Sequence, residues 1–281
     1  MRTAPQHSAA LHSVRRRQVA VVLTLAATAA LLPWTGSATS AQAATAARSA
    51  TAVRATTSAT TAQVAVAPAI PGANRFTGKV PAATREVIVV SAPAWSSLRS
   101  KITLYERSGT GWRTVVWDKT WLGYGGLVQA AKRKQDTGTT PAGLFSISQA
   151  FGRKANPGTR LPYTKVNNSQ WWVEDRNSRY YNQMRNASQG GFALQTTGPN
   201  SSEHLYAMGY QYDYVAVINF NRPNPVIGRG SGIFLHVTTN GPTGGCVATA
   251  RATMITIMKH LKPGLNPMII IGPSSWLTSR T

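Results

Sequence analysis

One cysteine, Cys246, stands in a chain of 281 residues. With no second thiol, no intramolecular disulfide can form, so the domain is held by packing rather than by covalent staples. Acidic side chains are also scarce, with 8 Asp and Glu against 30 Lys and Arg and a formal net charge of +22. So few carboxylates argue against the paired acids of a glycosidase. The excess positive charge favours polyanionic partners and says nothing about fold. No histidine or cysteine pair has the spacing of a zinc motif such as H-E-x-x-H, so no metal ligand set is expected from His204, His236 and Cys246. The segment "GTTPAG" (Gly138 to Gly143) lacks the lysine of a phosphate loop and reads as a tight turn. Ser231 in "GRGSGIF" lacks the spacing of a nucleophile elbow. Internal repeats and accessory binding modules are absent from the sequence.

What is present begins with the N-terminus. Arg15, Arg16 and Arg17 close a basic region, and "VAVVLTLAATAALLP" (Val19 to Pro33) follows as an apolar run. At about fifteen residues it is short for a membrane span. A small-x-small site follows at Ala41, Gln42 and Ala43. This is the layout of a secretory signal, with residues 1–43 expected to be removed after Ala43. An uncleaved signal anchor is the alternative. A lipoprotein anchor would need a cysteine just after the run, where none stands. The mature protein is then expected to be secreted, extracellular or associated with the cell wall, with no stable membrane insertion. Export removes nucleic acid from the expected partners and leaves anionic cell-wall polymers. Residues 44–75 are Ala/Thr-rich and poor in large apolar side chains, a composition that cannot bury a core and reads as a flexible linker.

The remainder, residues 76–281, reads as one β-rich domain with few helices. "EVIVVSA" (Glu86 to Ala92) is a β-branched run, and "KITLYER" and "WRTVVWDKTWLG" flank the glycine-bearing turn "SGTG" (Ser108 to Gly111) as a hairpin. "GLFSIS", "DYVAVINF", "GIFLHV" and "PMIIIG" are further strands. The clearest helix is "TARATMITIMKHLKPG": Ala250, Met254, Ile257, Met258 and Leu261 fall at helical spacing, Thr249 is placed to cap it, and Pro263-Gly264 stops it.

The lone cysteine lies in "IFLHVTTNGPTGGCVATAR" (Ile233 to Arg251). A strand presents His236, a Gly/Pro/Asn loop follows, then Gly244-Gly245-Cys246, then the helix. Cys246 is read as lying just before a helix N-terminus, where free amides and the macrodipole favour a thiolate. The glycines let a substrate approach the backbone, leaving the Gly245 and Cys246 amides for an oxyanion. A histidine alongside can take the thiol proton and return it to a leaving amine. On the residues alone, a buried apolar cysteine and an intermolecular disulfide remain open beside the reactive thiol.

"HVTTNGPTGGCVA" resembles the signature of the L,D-transpeptidase (YkuD-type) family, in which a histidine precedes a Ser/Thr-x-Gly-Cys segment. "DTGTTPAGLFSI" is similar to that family's Thr-Pro-x-Gly-x-Phe segment, and the likeness runs from about Val87 to Gly272. The resemblance implies a mainly β, sandwich-like fold with a catalytic cleft. It further implies Cys246 as acyl-forming nucleophile, His236 as its base, peptidoglycan stem peptides as substrates and no cofactor. Two positions depart from the family. Gly244 stands where many members have histidine, and Ala248 where many have Asn or Arg. Arg251, one helical turn on, is expected to supply the missing polar group, although a solvated helix-face arginine fits equally. Thr243, Gly244 and His204, with its neighbour Glu203, complete the expected substrate-binding residues. The Trp171-Trp172 and Tyr180-Tyr181 pairs are expected in core and rim packing rather than as a sugar platform, and His260 at the end of the helix. Water in place of an amine acceptor would make the enzyme an L,D-carboxypeptidase. A non-catalytic wall-binding protein on the same fold is the rival from a different class.

Overall fold

The computed structural model describes residues 80–279, so the expected signal peptide and linker lie outside them. Thirteen strands and two α-helices make up the described domain: β1 (Glu86–Ala92), β2 (Arg99–Ser108), β3 (Gly111–Trp121), β4 (Leu127–Gln129), β5 (Thr140–Gly152), β6 (Tyr163–Lys165), β7 (Gln170–Trp172), β8 (Met184–Asn186), β9 (Glu203–His204), β10 (Val215–Ile218), β11 (Phe234–Val237), β12 (Val247–Thr249), α1 (Arg251–His260), β13 (Met268–Pro273) and α2 (Ser274–Ser279). The mainly β expectation holds.

β1 coincides with the β-branched run and is buried on both faces. Ile88 and Val90 join the main core, while Val87 and Val89, on the other face of β1, pack with Trp112, Met268, Ile270 and Leu277. β2 and β3 form the expected hairpin, pairing Ser108 with Gly111. The turn needs a left-handed residue, which Gly109 supplies at φ 56°.

The main sheet runs β10-β11-β12-β3-β2-β1-β13-β5, and β10 also pairs with β5, so its ends meet and the layers of the sandwich are one closed sheet. Alternation then sorts side chains to its two faces. On β10 and β11, Ala216, Ile218, Leu235 and Val237 point into the main core, where α1 adds Met254, Ile257 and Met258. Val215, Val217 and Phe234 point the other way, onto Phe151, Trp172, Leu205 and Tyr212. A three-stranded sheet, β8-β7-β9, and the 3-10 turns Leu205–Tyr212 supply that second cluster. Trp172 is fully buried within it, and Tyr181 is fully buried as well, as the packing reading of the aromatic pairs anticipates.

The helix sits where its periodicity places it, but its start differs from expectation. Thr249 does not cap α1. It belongs to β12, and its hydroxyl donates to Asp118 Oδ2 at 3.2 Å, while Ala250 holds the N-cap position without a side-chain cap. The reason is that "VAT" is taken up as a strand between β11 and β3.

Candidate active site

β11 and β12 run parallel with His236 opposite Ala248. Cys246 is two residues before Ala248, so by the period-2 rule it projects from the same face as His236. That face is the outer one, and there Phe234 and Cys246 join the second cluster. A cavity of about 240 Å³ opens over it, lined among others by His236, Cys246, Thr243, Gly244, Tyr212 and Glu203.

The expected position of Cys246 at a helix start is corrected. Three strand residues and Ala250 separate it from the helix, so the end of α1 is too far away to favour a thiolate. Its Sγ instead lies 3.4 Å from the Phe234 amide and 3.4 Å from the Gly232 carbonyl oxygen. Burial, and after it the charge of Glu203, push the thiol well above its ordinary range. His236 Nδ1 sits 2.9 Å from the Val237 carbonyl oxygen, so the proton belongs on Nδ1 and Nε2 keeps the lone pair. Burial holds the imidazole down at about 4. At neutral pH the resting site is therefore a neutral thiol beside a neutral base, rather than an ion pair.

The Gly244-Gly245-Cys246 loop is fixed from behind. Thr243 Oγ1 donates to the Cys246 carbonyl oxygen at 2.8 Å and accepts the Gly245 amide at 3.1 Å. Of the two amides expected to receive an oxyanion, that of Gly245 is thus already engaged by Thr243. Gly245 adopts φ 136°, and a side chain there would meet Arg133 Nη2 and the Thr139 carbonyl, each at 2.9 Å. Gly244 has open space around it.

Arg251 and His204 do not line the cavity. The Arg251 guanidinium pairs with Asp213 Oδ2 at 2.5 Å and lies over the Tyr214 ring, so it does not replace the polar group missing at Ala248. His204 stacks on Trp171 with ring centroids 4.6 Å apart, and its Nε2 is 3.0 Å from the Asn168 carbonyl oxygen. Both are packing residues, because the strand-and-turn segment that carries His204 turns its neighbour Glu203 toward the cavity instead.

Glu174 and Arg133 near the site escaped the sequence reading, and Glu203 entered it only as the neighbour of His204. Glu203 accepts the Tyr212 hydroxyl at 2.8 Å and is raised to about 8 by burial and by the charge of Glu174. Glu174 accepts Ser231 Oγ at 2.9 Å and is raised in the same way, first by burial. Arg133 is buried behind the loop, donating to the Thr139 carbonyl at 2.8 Å and the Arg229 carbonyl at 3.0 Å. Only the placement of two of the eight acidic residues near a thiol hints at this, and no spacing reveals it.

A buried thiol and an Nδ1-anchored imidazole facing one cavity are the parts of cysteine acyl transfer. The sequence of residues 85–270 matches the YkuD family, described as the L,D-transpeptidase catalytic domain. The chain belongs to that family. No curated protein matches it. Among solved structures, it is similar to one titled "Structure of Bdellovibrio bacteriovorus Bd1075", at 16% identity and a TM-score of 0.35, with 70% of this chain and 53% of that one covered. The chain thus spans about half the length of that relative. Membership of the YkuD family fits the enzyme class expected from "HVTTNGPTGGCVA", and the strand-loop-strand placement of His236 and Cys246 is the local structure in which this YkuD domain displays those residues.

Proposed function

We propose that this YkuD domain is an exported, cell-wall-associated L,D-transpeptidase with Cys246 as nucleophile. The observation that carries this reading is the shared face of Cys246 and His236 at one cavity. Neutral His236 takes the thiol proton as Sγ attacks the carbonyl between the diamino acid and the terminal D-alanine of a tetrapeptide stem. The C–N bond breaks, the proton passes to the departing amine, and a thioester remains. The Cys246 amide receives the oxyanion, and the Gly245 amide joins it only by leaving Thr243. A side-chain amine of a second stem then resolves the thioester into a 3→3 cross-link. The basic surface suits anionic cell-wall polymers as a second class of partner. If water resolves the thioester, the product is that of an L,D-carboxypeptidase.

Incubation with purified tetrapeptide muropeptides, followed by mass spectrometry, tests the proposal. Thioester adduct, D-alanine release and cross-linked dimer are expected, and all three should vanish in Cys246→Ala. Product that persists in that variant would falsify the assignment of the nucleophile. Binding without any turnover would favour a wall-binding protein.

A further inference from the structure

Outside the cavity that holds the thiol, three side chains converge that the reaction does not use. We propose that Glu86, Glu106 and His260 form a binding site for a divalent first-row metal ion of the zinc type. Each offers one donor atom, and the three atoms lie within 4.8 Å of one another. His260 Nδ1 is 3.9 Å from Glu86 Oε1.

Register sets Glu86 of β1 directly opposite Glu106 of β2. Like charges in that relation repel, and this pair uses two of only eight acidic residues in a strongly basic chain. Glu106 has a partner in Arg113, whose Nη2 donates to Oε2 and leaves Oε1 for another ligand. Glu86 has none. Its side chain is 1% exposed, and neither oxygen reaches a hydrogen-bond donor among the described residues. The Lys262 amide leans toward that carboxylate without attaining hydrogen-bond geometry. The third group, His260, ends α1 with a buried Nδ1 that is likewise without a hydrogen-bond partner. A buried carboxyl group left without hydrogen bonds is unfavourable whether it keeps its charge or takes up a proton. A bound cation removes that cost.

The donor chemistry fits. One imidazole nitrogen and two carboxylate oxygens are ligand types that zinc accepts, at about 2.0–2.2 Å. Tetrahedral placement at those lengths sets donors about 3.4 Å apart, so side-chain rotations on the order of 1 Å close the set. Arg113 on the outer oxygen of Glu106 would orient that ligand. Lys262 and Arg113 are the cations facing the cluster, and they limit the affinity without occupying the donor atoms named. The ion would tie β1 and β2 to the end of α1. For a domain with a single cysteine, that is a staple of the one kind still open to it.

Titration of zinc chloride into the metal-stripped full chain tests this, carried out in Cys246→Ala so that the thiol cannot compete. One ion per chain and a rise in Tm are expected. Glu86→Gln and His260→Ala should each weaken binding by about tenfold or more. Zinc-edge X-ray absorption on the loaded Cys246→Ala chain should show one imidazole with oxygen ligands and no sulfur, a result that does not depend on whether Glu86→Gln folds. Absence of binding, binding undiminished in both variants, or a ligand shell of several imidazoles overturns the proposal.

Discussion

The Nδ1 of His236 is held 2.9 Å from the carbonyl oxygen of Val237, its own neighbour on the strand. This bond does two things. It assigns the ring proton to Nδ1, and it turns Nε2 outward as the base. Acylation therefore requires the imidazole to be neutral. With burial holding His236 at about 4, the acylation rate is expected to stay level through mildly acidic pH and to fall as pH drops through about 4. Pre-steady-state D-alanine release against pH checks this. A limb near 6.5 would mean that the ring is not desolvated as described. His236→Ala is expected to lower the rate by about 10²–10⁴-fold.

The same depression bears on stability. His236 binds a proton less readily when folded than its ordinary value of 6.5 allows. Its effect is absent above about 6.5, and the folded state loses stability as pH falls from there toward 4. Urea unfolding at pH 7 and pH 4.5 should show a drop in wild type that is smaller in His236→Asn. An equal drop in both would remove His236 as its source.

A thiol pushed up by burial and by Glu203 should be a sluggish nucleophile toward external reagents. Alkylation of Cys246 by iodoacetamide at neutral pH is expected to be slower than that of a free thiol. Glu203, raised to about 8, carries its charge only above that value, so Glu203→Gln, which keeps the Tyr212 contact, should speed alkylation several-fold at about pH 9, where wild-type Glu203 is ionised. Mass spectrometry over time reads both rates. Unchanged kinetics would show that Glu203 does not act on the thiol.

The two glycines before Cys246 are expected to behave differently. Gly245→Ala forces a side chain into φ 136° and against the Thr139 carbonyl, a backbone atom that cannot swing away. A loss of about 1–3 kcal/mol is expected. Gly244 faces open space, so Gly244→His should leave the urea midpoint unchanged. Equal destabilisation by both would contradict the loop geometry.

Much of this arrangement is legible in the sequence, and the rest is not for identifiable reasons. The β-branched run 86–92 and the glycine turn at 108–111 act locally, so β1 and the β2–β3 hairpin follow from them directly. Cys246 and His236 are near neighbours in the chain, and the strand period carries one onto the face of the other. Thr249 misled because a short β-branched segment before a helix fits a cap and a strand equally, and pairing with β3 decided it. Glu203 reaches the cavity, and Glu174 and Arg133 pack behind its wall against Ser231 and Gly245, from separate loops and strands, while Glu86, Glu106 and His260 meet through sheet register and the end of a helix. Such meetings leave no spacing to read.

Arg251 takes a role in the fold that its place in the sequence does not suggest. Its position after Ala248 suggests a hand on the substrate carboxylate, whereas the structure gives that hand to Asp213, whose side chain is only 5% exposed. Removing the guanidinium leaves a buried carboxylate with Arg153 Nη1 as its nearest remaining cation, 3.7 Å from Oδ1. Arg251→Ala is therefore expected to cost about 1–3 kcal/mol of stability, the range for stranding a partly compensated buried charge. Asp213→Asn in the same background should recover part of that loss, because the stranded group is then neutral. The KM for tetrapeptide donor should stay within about twofold of wild type, since a lost binding contact to a charged group would raise it far more. A large rise in KM with stability intact would return Arg251 to the substrate and overturn the pairing as its role.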